Sequence, residues 1–163
     1  MRTLVVGNSG SGKSTFAARL AAREQLARLE LDDIVWEPHQ IAVTRPLSAV
    51  HADLAMFLAA HDRWVIEGCD GDLVERALPV CTELVFLNPG VEVCLANDRR
   101  RPWEPHKYDS AADQERMLPM LLAWVESYYT RQDARSYAYH RRLFDAFAGE
   151  KREIVEPGGS RSA

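Results

Sequence analysis

The stretch GNSGSGKST, from Gly7 to Thr15, constrains the fold of this chain more than any other feature of the sequence. It places three glycines and a lysine between the apolar run TLVV and the segment FAARLAAREQLARL, whose apolar residues recur at helical spacing. The spacing Gly7-x-x-x-x-Gly12-Lys13-Ser14 is that of a phosphate-binding loop, which connects a buried strand to the start of a helix. The sequence therefore predicts a strand, a phosphate-binding loop and a helix in that order.

A loop of this composition is suited to holding a triphosphate. Small side chains and positive φ angles allow backbone N–H groups to point inward at dense negative charge, and the following helix adds the positive end of its dipole. Lys13 would place its ammonium group on the β- and γ-phosphates, and the Ser14 hydroxyl would complete the shell of a Mg²⁺ ion. The expected nucleotide-binding residues are Gly7, Ser9, Gly10, Ser11, Gly12, Lys13, Ser14 and Thr15.

The rest of the chain alternates between strand-like and helical segments. Four more short apolar runs indicate strands, namely ARLEL, RWVIEG, ELVFLN and REIVEP. Between them lie segments whose apolar residues recur at helical spacing. The segment from Trp36 to Pro46 is expected to be irregular, whereas Ser110 and Ser136 are expected to cap helices. This alternation predicts an α/β fold of three layers, with a five-stranded, mostly parallel sheet flanked by helices. We expect one domain over 1–156 and a flexible tail over 157–163.

Composition and charge exclude several classes of protein. With 163 residues, 47% of them hydrophobic and 27% charged, the chain has the composition of one globular domain. It contains no apolar run of the roughly 20 residues that a membrane span needs, and its start does not match a secretory signal, so we expect a cytoplasmic protein. The net charge of −4 argues against direct binding of nucleic acid. Three cysteines without a C-x-x-C pair argue against disulfides and zinc.

The loop by itself does not distinguish kinases from GTPases or motor ATPases. A GTPase would carry an N-K-x-D guanine-binding motif after an apolar strand, and the nearest match, HKYD at 106–109, lacks the asparagine. A motor ATPase would normally be longer. The loop therefore leaves other classes open, among them a small kinase and a nucleotide-dependent regulator that hydrolyses ATP slowly and engages another protein or DNA.

Several further stretches, LELDDIVWEP, TRP, WVIEGCDGDL, LVFLNP and RRRPWEPHKY, resemble the P-loop small-molecule and nucleoside monophosphate kinases, a group related to adenylate kinase. Within that group the chain most closely resembles the DNA topology modulation (FlaR-like) branch, from Met1 to about Val155. The resemblance implies a P-loop fold, ATP with Mg²⁺ as cofactors, and transfer of the γ-phosphoryl group to a small acceptor that the branch does not identify. It also keeps the regulatory ATPase as an alternative.

The same resemblance suggests roles for the acidic residues that follow two of the strands. Asp32 and Asp33 come after the second strand, where ligands bind in open α/β sheets, and an acid there would orient the acceptor hydroxyl or a Mg²⁺-bound water. The alternative is that they cap a turn or helix; of the two, we favour Asp32. Glu67 stands where related kinases have an aspartate before glycine, and it either holds a Mg²⁺-bound water or is a solvated loop residue.

A run of three arginines, Arg99 to Arg101, ends a predicted helix just before Pro102. In related kinases a lid carries arginines that neutralise charge on the transferred phosphoryl group, so the resemblance implies a short lid at about 99–112 with Arg99 and Arg101 as its principal cations. Cations are also favourable at a helix C-terminus without any ligand. The expected catalytic residues are thus Lys13, Asp32, Asp33, Arg99 and Arg101, and the expected metal ligands are Ser14 and Glu67.

Overall fold

Five parallel strands form the central sheet of the protein, for which a computed structural model describes residues 1–38 and 40–156. In chain order the strands of this part are β1 (Arg2–Gly7), β2 (Ala27–Glu30), β3 (Trp36–Glu37), β4 (Gln40–Thr44), β5 (Trp64–Gly68), β6 (Glu83–Leu87) and β7 (Glu150–Ile154). The central sheet has the order β2–β5–β1–β6–β7, and each neighbouring pair is parallel. The predicted fold class is therefore confirmed.

Helices connect the strands and cover the sheet. They are α1 (Lys13–Glu24), α2 (Asp32–Val35), α3 (Leu47–Ala60), α4 (Gly71–Ala77), α5 (Val91–Arg99), α6 (Ala111–Glu126) and α7 (Tyr137–Ala146), with 3₁₀ turns at Leu78–Val80 and Ser127–Tyr129. Ser110 and Ser136 cap α6 and α7 as expected, because each side chain accepts a hydrogen bond from a backbone N–H three residues later. In the described part of the chain, none of the helices has the length and apolar character of a membrane crossing.

The sheet is buried on both faces, which explains why its central strands are continuous apolar runs. Successive side chains of β1 alternate between two clusters: Leu4 packs with residues of α3, α4 and α7, whereas Val5 packs with residues of α1. The result is a helical layer on each face of the sheet. This arrangement leaves the carboxyl ends of the parallel strands, and the loops that follow them, to form a site.

The structure differs from the sequence-based expectation between Trp36 and Pro46. This segment is an antiparallel hairpin of β3 and β4 instead of irregular chain. Pro38 lies in the turn between the two strands and Pro46 lies just before α3, so neither proline removes a ladder hydrogen bond within a strand. The predicted tail, 157–163, lies outside the described residues.

Candidate functional site

The phosphate-binding loop leaves β1 and enters α1 through two glycines in the left-handed region. Gly10 has φ +70° and Gly12 has φ +93°. A Cβ atom on Gly10 would lie 2.2 Å from the backbone oxygen of Cys94, because the loop packs directly against α5. A Cβ atom on Gly12 would have nothing within 4 Å, so the start of α1 faces open space. The loop is thus closed on one side and open where an anion can reach the N-terminus of a helix.

Lys13 is held inside this loop and is only 7% exposed. Its Nζ donates a hydrogen bond of 2.7 Å to the carbonyl oxygen of Asn8. Burial lowers the pKa of Lys13, but the neighbouring Cys69, Glu67 and Asp32 outweigh that effect and raise it. The ammonium group therefore stays charged, as a phosphate ligand must.

Glu67, at the end of β5, is the acidic residue beside the loop. It is 2% exposed, and its Oε1 has no hydrogen-bond partner. Burial raises the pKa of Glu67, while Lys13 and the adjacent Ser14 hydroxyl oppose the increase. A buried carboxylate oxygen without a partner next to a serine hydroxyl fits Mg²⁺ or its water. No group of three or more His, Cys, Asp or Glu in 1–38 and 40–156 could hold a metal alone, so phosphate oxygens would have to complete the shell.

A cavity of about 400 Å³ lies beside the loop, at the carboxyl ends of β2 and β5. Its polar wall includes Ser9, Asp32, Asp70, Arg101, Lys107 and Arg135. Its apolar wall includes Trp36, Tyr108, Met117, Met120, Leu121 and Trp124. A cavity of this size is within the usual range for a small-molecule site.

Of the two adjacent aspartates, the structure places Asp32 in the wall of this cavity. Its Oδ1 accepts a hydrogen bond from Nε1 of Trp36 at 3.2 Å, and its Oδ2 accepts one from Nζ of Lys107 at 3.0 Å. Burial raises the pKa of Asp32, but Lys107 more than offsets this and the net shift is downward, so Asp32 remains a carboxylate. Asp33 is exposed and lies outside the residues that line the cavity.

The two arginines expected to act together lie in different surroundings. One N–H of Arg101 donates to Oγ of Ser9 at 3.2 Å, and the guanidinium also pairs with Asp98 and Glu104. Arg99 is exposed in the last turn of α5 and is not part of the cavity wall described above. Of these two arginines, only Arg101 therefore contacts the phosphate-binding loop.

Lys107 is a site residue that sequence reasoning did not single out. It is 8% exposed, and its Nζ lies 2.7 Å from Glu30, 3.0 Å from Asp32 and 3.4 Å from Glu104. Burial lowers the pKa of Lys107, but these three carboxylates raise it well above its usual value. In the sequence it is one lysine in a proline-rich loop, and no local pattern marks it.

Sequence reasoning also missed the pair formed by Asp70 and Arg135. Nε of Arg135 donates to Oδ1 of Asp70 at 2.7 Å across 65 positions of sequence. Asp70 is 3% exposed and its Oδ2 has no partner, so burial raises its pKa to about 6 although Arg135 opposes the shift. Next to it, the thiol of Cys69 lies beside Lys13, and burial raises the pKa of that thiol.

No family model and no curated protein matches this chain. Among solved structures it is similar to a gluconokinase from Sinorhizobium meliloti 1021, with a TM-score of 0.50 and 17% identity over 96% of this chain and 83% of that one. It also aligns with a sugar kinase from Janibacter sp. HTCC2649, with a TM-score of 0.49 and 15% identity over 93% of this chain and 83% of that one. A shikimate kinase from Acinetobacter baumannii, in complex with shikimate, gives a TM-score of 0.41 and 18% identity over 88% and 91%.

The likeness to the gluconokinase is one of fold. It agrees with the five-stranded parallel sheet flanked by helices that the sequence predicts. The expected closeness to the FlaR-like branch gains no support from these comparisons. The chain therefore has the α/β fold of P-loop kinases.

Proposed function

We propose that this protein is a phosphotransferase that uses ATP and Mg²⁺ and moves the γ-phosphoryl group to a small-molecule acceptor. The observation that carries the proposal is that Ser9 of the phosphate-binding loop also lines a ligand-sized cavity, whose wall includes the carboxylate of Asp32. A phosphate group held by the loop and a hydroxyl group held in the cavity would then be neighbours. Phosphoryl transfer requires mainly this positioning, together with neutralisation of charge.

Five residues around the loop and the cavity have a role in the proposal. Lys13 would exchange the carbonyl oxygen of Asn8 for phosphate oxygens, and Arg101 would neutralise charge on the transferred group. Asp32 would accept a hydrogen bond from the acceptor hydroxyl, orient it, and take up its proton as the new P–O bond forms and the bond to ADP breaks. Ser14 and Glu67 would hold Mg²⁺, which supplies positive charge to the phosphates when bound.

The alternative, a regulatory ATPase without an acceptor, is not favoured by the site. Such a regulator has no need for a ligand-sized cavity next to its phosphate-binding loop. We therefore propose ATP and a small molecule as partners and keep the cytoplasm, expected from the sequence, as the location.

The first test concerns ATP binding. At 100 times its Kd, ATP with Mg²⁺ should stabilise the wild type by about 2.7 kcal/mol and raise its melting temperature. Lys13→Ala should lose most of this shift, whereas Lys151→Ala, which removes an exposed lysine outside the site, should retain it. Equal shifts in all three proteins would contradict the assignment of the loop.

The second test concerns the acceptor. Asp32→Asn should keep the ATP-dependent rise in melting temperature but lose ADP formation that depends on an acceptor, measured in a coupled assay. Asp33→Asn should behave like the wild type, because Asp33 is exposed outside the cavity wall. Normal acceptor-dependent turnover by Asp32→Asn would remove the proposed role of this carboxylate.

A further inference from the structure

The connection between α5 and α6 forms one wall of the cavity. Four of its residues line the cavity, namely Arg101, Glu104, Lys107 and Tyr108. We call residues 101–108 the strap; apart from a turn at 105–107, this segment has no regular secondary structure. Trp103 in the strap is 49% exposed, so the largest apolar side chain of the segment contributes little burial to hold it in place. The strap therefore depends mainly on polar contacts near its two ends.

The first half of the strap is bound to the phosphate-binding loop and to α6. Arg101 donates a hydrogen bond to Oγ of Ser9 at 3.2 Å. Gln114 of α6 bonds to the backbone of the residues that follow: its Nε2 donates to the carbonyl oxygen of Pro102 at 3.0 Å, and its Oε1 accepts from the N–H of Glu104 at 2.8 Å. The strap and the beginning of α6 are thus linked to each other.

The second half of the strap reaches another wall of the cavity through Lys107. The ammonium group lies 2.7 Å from Glu30 at the end of β2 and 3.0 Å from Asp32 at the start of α2. It also lies 3.4 Å from Glu104, which belongs to the strap itself. One cation thus joins a carboxylate of the strap to two carboxylates that follow the sheet. Without this cation, Glu104 would face Glu30 and Asp32 in a partly buried space, where like charges repel each other.

We propose that the strap is a lid over the cavity and that Lys107 is its latch. With the ammonium group bound to Glu30 and Asp32, the strap closes the cavity and keeps Arg101 on the phosphate-binding loop. When these ion pairs break, the strap moves away and a small molecule can enter or leave. A carboxylate has about four acceptor positions, so Asp32 can bind Lys107 and a ligand hydroxyl at the same time. The latch controls access to the cavity whatever reaction takes place inside it.

Labelling of the three cysteines with N-ethylmaleimide measures access to the cavity. Cys69 lines the cavity, Cys94 is 1% exposed in α5, and Cys81 is partly exposed just before β6. The protein is treated with the reagent for increasing times, and mass spectrometry of its peptides gives the rate at each cysteine. The rate at Cys69 reports opening of the strap, the rate at Cys94 reports global unfolding, and the rate at Cys81 is a reference for the reagent.

Removing the latch should expose Cys69 selectively. In Lys107→Met the rate at Cys69 should be at least about tenfold higher than in the wild type, without a comparable change at Cys81 or Cys94. Loss of a nearby cation by itself favours the protonated thiol and slows labelling, so a higher rate reports access to the thiol and not its reactivity. Lys107→Arg keeps the charge and should stay closer to the wild-type rate. Lys151→Met, which removes an exposed lysine outside the cavity, should match the wild type.

A selective increase at Cys69 would support the latch, and equal rates at Cys69 in the wild type and Lys107→Met would overturn it. An increase at Cys69 that Cys94 matches would also overturn it, because the protein then opens as a whole. If Lys107→Met does not fold, Glu30→Gln takes its place: it leaves Lys107 two carboxylates and should raise the rate at Cys69 by a smaller factor, and an unchanged rate would again overturn the latch. The ATP-dependent rise in melting temperature is measured separately, so failure of the latch leaves the proposed function standing.

Discussion

Replacing Lys107 with methionine tests how far the stability of the fold depends on one buried cation shared by the carboxylates of Glu30, Asp32 and Glu104. The ammonium group of Lys107 lies within 3.4 Å of Glu30, Asp32 and Glu104, and its side chain is 8% exposed. Methionine keeps most of the length and apolar surface of the lysine side chain. The substitution therefore removes the charge and leaves three carboxylates close together without their shared partner.

The expected loss of stability follows from the burial of these groups. Removing one partner of a buried ion pair costs about 3–5 kcal/mol, because the remaining charge is left uncompensated. The carboxylate side chains here are 12%, 19% and 32% exposed, so water partly compensates them. We therefore expect a loss of about 3 kcal/mol at neutral pH. The matched substitution Lys151→Met removes an exposed lysine of β7, whose Nζ donates to two carbonyl oxygens at the end of α7, and should cost about 1 kcal/mol or less.

Urea unfolding at pH 7 and pH 4 measures both the size and the origin of the effect. Lys107 lowers the pKa of Asp32 in the folded state, so its contribution is present above the unfolded pKa of about 3.9 and is lost as pH falls through the folded value. Without the cation, burial raises the pKa of Asp32 in Lys107→Met, so this carboxylate takes up its proton at a higher pH than in the wild type and the deficit should already shrink near pH 4. A deficit equal to that of Lys151→Met, or one unchanged at pH 4, would refute the reasoning.

Three further predictions concern the loop and its surroundings. Gly10→Ala and Gly12→Ala both place a side chain at positive φ, at a cost of about 1–2 kcal/mol, but Gly10→Ala should lose more in urea unfolding because its Cβ also meets a backbone oxygen at 2.2 Å. Because the pKa of Asp70 is about 6 in the folded protein, the folded state keeps the proton of this carboxyl group up to a higher pH than the unfolded chain does. The stability of the wild type relative to Asp70→Asn should therefore fall by up to about 3 kcal/mol as pH rises from about 4 to 6, in urea unfolding. Glu67→Gln should still bind ATP but need about tenfold more Mg²⁺ for the full ATP-dependent rise in melting temperature, and an unchanged Mg²⁺ requirement would exclude Glu67 from the metal site.

The parts of the fold that the sequence predicts are those governed by local chemistry. Gly10 and Gly12 are needed where φ is positive, and Ser110 caps α6 because its side chain accepts a backbone N–H three residues on. The central strands β1, β5 and β6 were recognisable because a strand buried on both faces is apolar along its length. The hairpin of β3 and β4 was missed, because its strands are short and Pro38 and Pro46, which flank β4, predict a break in regular structure.

The choice between Asp32 and Asp33 needed three-dimensional information. Adjacent residues at the start of α2 point in different directions, and only the packing of α2 against the sheet decides which one meets the cavity. Identifying Lys107 and Arg135 as site residues also needed three-dimensional information, because their partners Asp32 and Asp70 are 75 and 65 positions away in sequence. An ion pair of that separation leaves no periodic or spaced pattern along the chain.

The phosphate-binding loop could be predicted from the sequence and the cavity beside it could not, and this difference has a physical origin. A phosphate is bound largely by main-chain N–H groups, so its site must be a continuous loop with glycines at defined positions, and such a loop is visible in sequence. The proposed acceptor would be bound by side chains from β3, the loop before α6 and α6 itself, which only the fold brings together. Substitutions at cavity residues of α6, such as Leu121, would therefore alter the proposed acceptor while the loop stays the same. Proteins that share the loop and the sheet with this one need not share its acceptor, so the side chains that line the cavity are the better guide to the proposed substrate.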